Sequence, residues 1–174
     1  MRSGLFPWRT NAVGHSRPPR LMTSTAICVG AVVLMDDRVL LVRQAAGHEL
    51  EGQWTIPWGR IASGESPADA VVRETREEGG VSAGIAGLLG VQELPSPWDG
   101  QIGIVYLCRH LGGEPRPDDH ETDAAAYFSA PEMGALREPI EPLSRWLGLR
   151  VLQGDYTSIP ENSNSPFAPS LGFL

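Results

Sequence analysis

The chain has 174 residues, 41% of them hydrophobic, and a formal net charge of −7 at pH 7. That length supports one domain with a real core plus extensions, and the acidic balance argues against a general nucleic-acid binder, which needs a basic surface. For the same reason any phosphates would be met locally, by arginine and metal, and no apolar run approaches the roughly 18 residues that would span a bilayer. All 14 basic residues are arginine, a compositional habit and not a functional signal.

In chain order, residues 1–22 carry Arg2, Arg9, Arg17 and Arg20, three prolines and no acid. They lack the periodic amphipathic pattern of a transit peptide and read as an N-terminal extension. Met22, directly before the globular pattern, is an alternative start. Thr25 to Met35 is rich in apolar and β-branched residues and reads as a buried strand. Asp36-Asp37 makes a turn into a second strand, Arg38 to Arg43, giving a hairpin. Ala45 to Gly52 is a loop with His48, Glu49 and Glu51. Cys28 and Cys108 lie in apolar strand-like runs, which favours two buried thiols over a disulfide or a metal pair and fits a reducing cytoplasm.

The stretch from Gly59 to Val81 organises the rest. Ser66 is placed to cap a helix whose first residue is Pro67. From there Ala68, Val71, Val72, Thr75 and Gly79 recur at helical spacing and form the expected core face. Glu74, Glu77 and Glu78 stand together beside it. Like charges at such spacing weaken a bare helix by a few tenths of a kcal/mol per pair. A hard divalent cation such as Mg²⁺ or Mn²⁺ reverses that sign, because carboxylate oxygens are the ligands it prefers. A solvated acidic face is the plainer alternative. Gly79-Gly80 ends the helix.

Beyond it, Ile85 to Leu94 and Ile102 to Arg109 read as strands separated by the turn from Pro95 to Gly100. A loop from Leu111 to Glu121 leads to a short strand, Ala125 to Ser129. Helices follow at Pro131 to Leu136 and around Pro142 to Leu149. This order gives an α+β domain with a mixed sheet over residues 23–150. Residues 151–174 form a Pro/Ser/Asn-rich tail, but Tyr156, Ile159, Phe167 and Phe173 make it too apolar for a pure linker, so it is expected to pack on its own domain or on a partner subunit.

Gly59, Glu65, Arg73, Glu74, Glu77, Glu78 and Gly80, closed by Val81, match at every fixed spacing the signature of the Nudix hydrolases, which the chain therefore resembles. One slot departs: Thr75 stands where the signature has an apolar residue, and its hydroxyl is expected to bond the carbonyl one turn back. Just before the box, Trp54-Thr55-Ile56-Pro57-Trp58-Gly59 resembles the family's Trp-x-x-Pro-Gly-Gly run, with Trp58 replacing the first glycine. That indole is expected to reshape the mouth of the site or to stack on a base or ribose, or else to pack against neighbouring loops.

The resemblance implies an α/β/α sandwich and hydrolysis of a diphosphate linkage in a nucleoside diphosphate joined to another moiety. It implies Glu74, Glu77 and Glu78 as metal ligands, joined by the Gly59 carbonyl, with two to three Mg²⁺ ions activating the attacking water. Arg73 is expected to hold a box glutamate, most simply Glu65, because a guanidinium is a poor base. The general base is a box glutamate or, from the context His120-Glu121-Thr122, Glu121. Trp58, Trp98 and Tyr106 are candidates for stacking on a base, and Arg43 for meeting the substrate. Pro97, sixteen residues past Val81, hints at ADP-ribose; that or a nucleotide sugar is the lead substrate, with triphosphates or dinucleoside polyphosphates as the alternative. A nucleotide-sensing module without turnover is the reading from another class. Action on RNA 5′ ends is disfavoured by the acidic balance. Family members are often homodimers.

Overall fold

The computed structural model describes residues 25–94, 98, 100–162, 164, 166 and 170–173. The expectations for residues 1–22, Pro97 and Phe167 lie outside them. The strands are β1 (Ile27–Met35), β2 (Arg38–Gln44), β3 (Trp54–Thr55), β4 (Trp58–Arg60), β5 (Ser82–Glu93), β6 (Ile102–Gly112) and β7 (Thr122–Phe128); the helices are α1 (Pro67–Gly79), α2 (Ala130–Ala135) and α3 (Pro142–Leu152). Among the described residues seven strands join one mixed sheet, with β3-β2-β1-β6-β5 as its path, β4 on β1 and β7 on β2.

β1 runs parallel to β6 and antiparallel to its other partners. It is buried on both faces, and a continuous Val/Ala/Leu run is what such a strand requires. Strand alternation divides the core in two. Val29, Ala31 and Val33 face α1 with Tyr106 and Cys108, whereas Val32, Val39 and Leu41 face α2 and α3 with Val105, Leu107 and Met133. The result is an α/β/α sandwich, and both cysteines are free and buried.

The expected hairpin is real only at its turn. There Leu34 pairs with Val39 and Met35 with Arg38, and Asp36 takes the left-handed conformation at φ 53°, which a short polar side chain tolerates. Further along, β1 and β2 part like a fork. β4 enters the gap, setting Gly30 opposite Trp58 and Val29 opposite Gly59, while β3 pairs with β2. The segment just before the box is therefore held inside the sheet. No residue pattern marks strands of two and three residues separated by a proline.

α1 begins as expected, with Asp69 N–H donating to the Ser66 hydroxyl at 3.1 Å, a cap worth about 1 kcal/mol. It ends at Gly80, left-handed at φ 73°, whose N–H reaches the Arg76 carbonyl. Its buried face differs from the expected one. Ala70, Val71, Glu74, Thr75, Glu78 and Gly79 are buried, whereas Ala68 and Val72 are only half-buried. Two glutamates have joined the core-facing side. Thr75 donates to the Val71 carbonyl at 2.7 Å, which satisfies the one polar departure from the signature.

The tail returns to its own domain. Ile159 and Leu88 exchange backbone hydrogen bonds at 2.8 Å on the edge strand β5, and Phe173 meets Tyr106 edge-to-face at 5.6 Å. Among the described residues no helix is long and apolar enough to cross a membrane.

Candidate active site

The site forms where α1 passes behind β4. Arg73 is its hub. Its Nε donates to Glu65 Oε1 at 2.8 Å and its Nη2 to Glu65 Oε2 at 2.9 Å, a two-pronged bond. Nη1 reaches Glu74 and Glu77, each at 2.8 Å, and Nη2 also meets the Arg60 carbonyl at 3.1 Å. These bonds from Arg73, helped by the Ala62 N–H, hold the Glu65 carboxyl down at about 2. The guanidinium orients three acids and bases none of them.

Glu78 is the most enclosed acid, with 3% of its surface exposed. Its Oε2 accepts the Trp58 N–H at 2.8 Å. Burial pushes its carboxyl up to about 8, against that hydrogen bond and with the charges of Glu74, Glu121 and Asp118 adding to the rise. Burial also raises Glu74, opposed by the bond from Arg73. Glu74 lies directly on Gly59, where a β-carbon would collide with the carboxylate. Gly59→Ala is therefore expected to displace Glu74 and weaken divalent-metal affinity at least tenfold while the fold survives, which a metal titration followed by calorimetry checks.

The loop before β7 is wired onto the end of α1. Thr122, fully buried, donates to the Glu78 carbonyl at 2.9 Å, and Asp118 Oδ1 accepts the N–H groups of His120, Glu121 and Thr122 at 2.8–3.0 Å. This sets Glu121 close enough to add to the rise of both Glu74 and Glu78. Oxygen donors on Glu74, Glu77, Glu78 and Glu121, with mutual repulsion left over after Arg73 is counted, suit a hard divalent cation. Among the described residues no three acids form a ready-made ligand shell, because Arg73 draws Glu74 and Glu77 to itself.

Without metal, the protein is expected to lose stability as pH rises. Glu78 titrates near 4.5 unfolded and about 8 folded, so the native state holds a proton that the unfolded state has lost. Its contribution to stability is undiminished below about pH 4.5, falls as pH rises toward 8, and stays low above. Mg²⁺ is expected to raise the melting temperature more at pH 8.5 than at pH 6, and thermal melts in chelator and in Mg²⁺ check this.

Beside the acids a cavity of about 320 Å³ opens on the α3 side of β4, lined in part by Cys28, Trp58, Arg60, Trp98, Gln101 and Glu141. Trp58 and Trp98 thus both border the cavity. Tyr106 does not, and its burial keeps it from stacking on a substrate. It shares the α1-facing side of β6, is 4% exposed, and packs on Phe173. Arg43 is also absent from the cavity lining. It is held by Asp123 at 2.7 Å and Glu138 at 3.5 Å and lies over Trp54. Sequence reasoning missed Arg60, which borders the cavity and makes no ion pair among the described residues. Strand alternation is the signal that finds it, since in β4 Arg60 shares a face with Trp58.

The sequence profile described as the NUDIX domain matches residues 24–147. The chain belongs to the Nudix family. Putative nudix hydrolase 1 of Caenorhabditis elegans is 32% identical over 127 residues, 71% of this chain and 34% of that protein. The ADP-ribose pyrophosphatase of Methanocaldococcus jannaschii is 32% identical over 107 residues, 60% of this chain and 63% of that protein. The chain thus spans about a third of the one and under two thirds of the other. A solved NUDIX hydrolase from Nitrosomonas europaea superposes with a TM-score of 0.64 at 26% identity, covering 78% of this chain and 93% of that one. The Nudix fold and the intact box therefore occur together in this chain.

Proposed function

We propose that this Nudix protein hydrolyses a diphosphate linkage in a nucleoside diphosphate joined to another moiety, using Mg²⁺ or Mn²⁺. The observation that carries the reading is the buried Glu78 carboxyl on the Trp58 N–H, on the strand whose other face borders the cavity. Glu74, Glu77, Glu78 and the Gly59 carbonyl would hold the cation. When bound, it neutralises charge on the diphosphate and lowers the pKa of the attacking water. Glu121, on its wired loop, would accept a proton from the attacking water. Arg73 keeps Glu65, Glu74 and Glu77 in place, and Arg60 meets a substrate phosphate at the cavity mouth. Trp58 and Trp98 wall the space for the organic part of the substrate.

ADP-ribose or a nucleotide sugar is the lead substrate, and the similarity to the M. jannaschii ADP-ribose pyrophosphatase supports it. Two free buried thiols fit the cytoplasm as the setting. The test is a hydrolysis panel of ADP-ribose, nucleotide sugars, NADH, diadenosine polyphosphates and nucleoside triphosphates, with Mg²⁺ and with Mn²⁺. Cleavage of ADP-ribose or a nucleotide sugar above the others supports the lead, whereas preference for triphosphates or dinucleoside polyphosphates replaces it. Silence across the panel from folded, metal-binding protein favours the sensing module.

A further inference from the structure

Trp58 stands where the family's approach to the box keeps a glycine, and the sheet beneath it has made room. The six-membered half of its indole spans two glycines on neighbouring strands, Gly30 of β1 and Gly103 of β6. A β-carbon on Gly30 would collide with Cε3 and Cζ3 of the ring, and one on Gly103 would stand 2.6 Å from its Cη2. Leu94 and Ile56 close the slot. The indole is therefore held by backbone as well as by side chains, and what it presents to the cavity is fixed before any ligand arrives. The same residue donates its N–H to Glu78.

From this geometry we infer that Trp58 is the specificity-determining residue of the site, the wall on which the substrate's purine or pyrimidine base packs. The inference rests on the nucleotide reading above and adds to it which part of the substrate is recognised and by what. A rigid indole in a glycine slot rewards a flat aromatic ring, because base–aromatic packing is insensitive to base identity and loses little freedom on binding. It does little for a saturated sugar. Trp98 borders the same cavity; Gln101, whose Oε1 accepts the Cys28 thiol, and Gln44, whose Nε2 donates to the Thr55 hydroxyl, line it as well. The cavity volume of about 320 Å³ lies at the small end of ligand sites, which suits one nucleoside rather than two. Because the Trp58 N–H holds Glu78, base recognition and the position of a metal-binding acid belong to one residue.

The test is calorimetric binding of AMP, UMP and ribose 5-phosphate, in Mg²⁺, to wild type, Trp58→Ala and Trp58→Phe. Trp58→Ala is expected to weaken AMP and UMP about tenfold or more, with ribose 5-phosphate little changed and the Mg²⁺ titration retained, since the backbone N–H remains. Trp58→Phe recovers most of the loss. If Trp58→Ala fails to fold by circular dichroism, Gly103→Ala decides the question. Its new methyl group forces the indole toward the cavity, and it is expected to weaken the two nucleotides but not ribose 5-phosphate. Equal loss for all three ligands, nucleotide binding unchanged in both variants, or a wild type that binds nucleotides no better than ribose 5-phosphate overturns the inference. Binding is read independently of turnover. A silent hydrolysis panel with Trp58-dependent AMP binding removes the hydrolase reading and leaves this one, and active turnover with Trp58-independent binding does the reverse.

Discussion

Glu78→Gln is expected to lower kcat/KM about a thousandfold or more. A bound divalent cation supplies several kcal/mol of transition-state stabilisation, and each 1.36 kcal/mol is about tenfold in rate. Glutamine keeps the shape and still accepts the Trp58 N–H, so the loss is one of charge. The same substitution has an opposite effect on the metal-free fold. Glu78 is 3% exposed and pushed up to about 8, so above pH 8 the wild type buries a carboxylate that the variant lacks. The variant is therefore expected to melt no lower than wild type in chelator at pH 8.5, and to lose the extra stabilisation that Mg²⁺ gives the wild type. Steady-state kinetics and paired melts check both halves. A near-normal rate would remove Glu78 from the site.

Arg73→Ala is expected to damage placement more than charge. The side chain makes four bonds to three glutamates and a fifth to the Arg60 carbonyl. Breaking a fully buried pair costs about 3–5 kcal/mol. Arg73 is 32% exposed, so solvent screening lowers the expectation to about 1–3 kcal/mol, or a fall in melting temperature of roughly 3–10 °C for a chain of this size. Activity is expected to drop about a hundredfold, the scale for losing a partner that orients metal ligands. Mg²⁺ should recover part of the stability, because it offsets the same carboxylates. Lysine should recover charge but not the two-pronged bond to Glu65. The acid limb carries a further signature. Glu65 is held at about 2 by Arg73 against 4.5 unpaired, so its contribution is present above pH 4.5 and lost as pH falls toward 2. That loss should shrink in Arg73→Ala to the part that the Ala62 N–H supplies. An unchanged metal titration and melting curve would sink the positioning role.

What was legible in the sequence was local. The Ser66 cap, the Pro67 start and the Gly80 end of α1 are written in adjacent residues, as is the Asp36-Asp37 turn. The box placed Glu65 beside Arg73, a contact of eight residues' separation that the structure makes. What was not legible depends on the sheet. Apolar periodicity put Ala68 and Val72 on the core face of α1, because it has no means of scoring a glutamate as buried; Glu74 and Glu78 are buried by Gly59 and β4. β3 and β4 are too short to carry a pattern, and only the fork between β1 and β2 makes them strands. Tyr106 and Val105 face opposite sides of β6, and the sheet buries both sides as core. Arg43 is claimed by Asp123 and Glu138, distant in sequence. The tail's Ile159 and Phe173 promised packing, but composition alone could not name β5 and Tyr106 as their partners.

The most direct test of the central claim is product analysis after hydrolysis of ADP-ribose in oxygen-labelled water, run with Mg²⁺, with Mn²⁺ and with chelator, for wild type and Glu78→Gln. The account predicts AMP and ribose 5-phosphate as products, label on one phosphate only, dependence on the cation, and loss of the reaction in Glu78→Gln. Cleavage that persists in chelator, or that Glu78→Gln leaves intact, would contradict it.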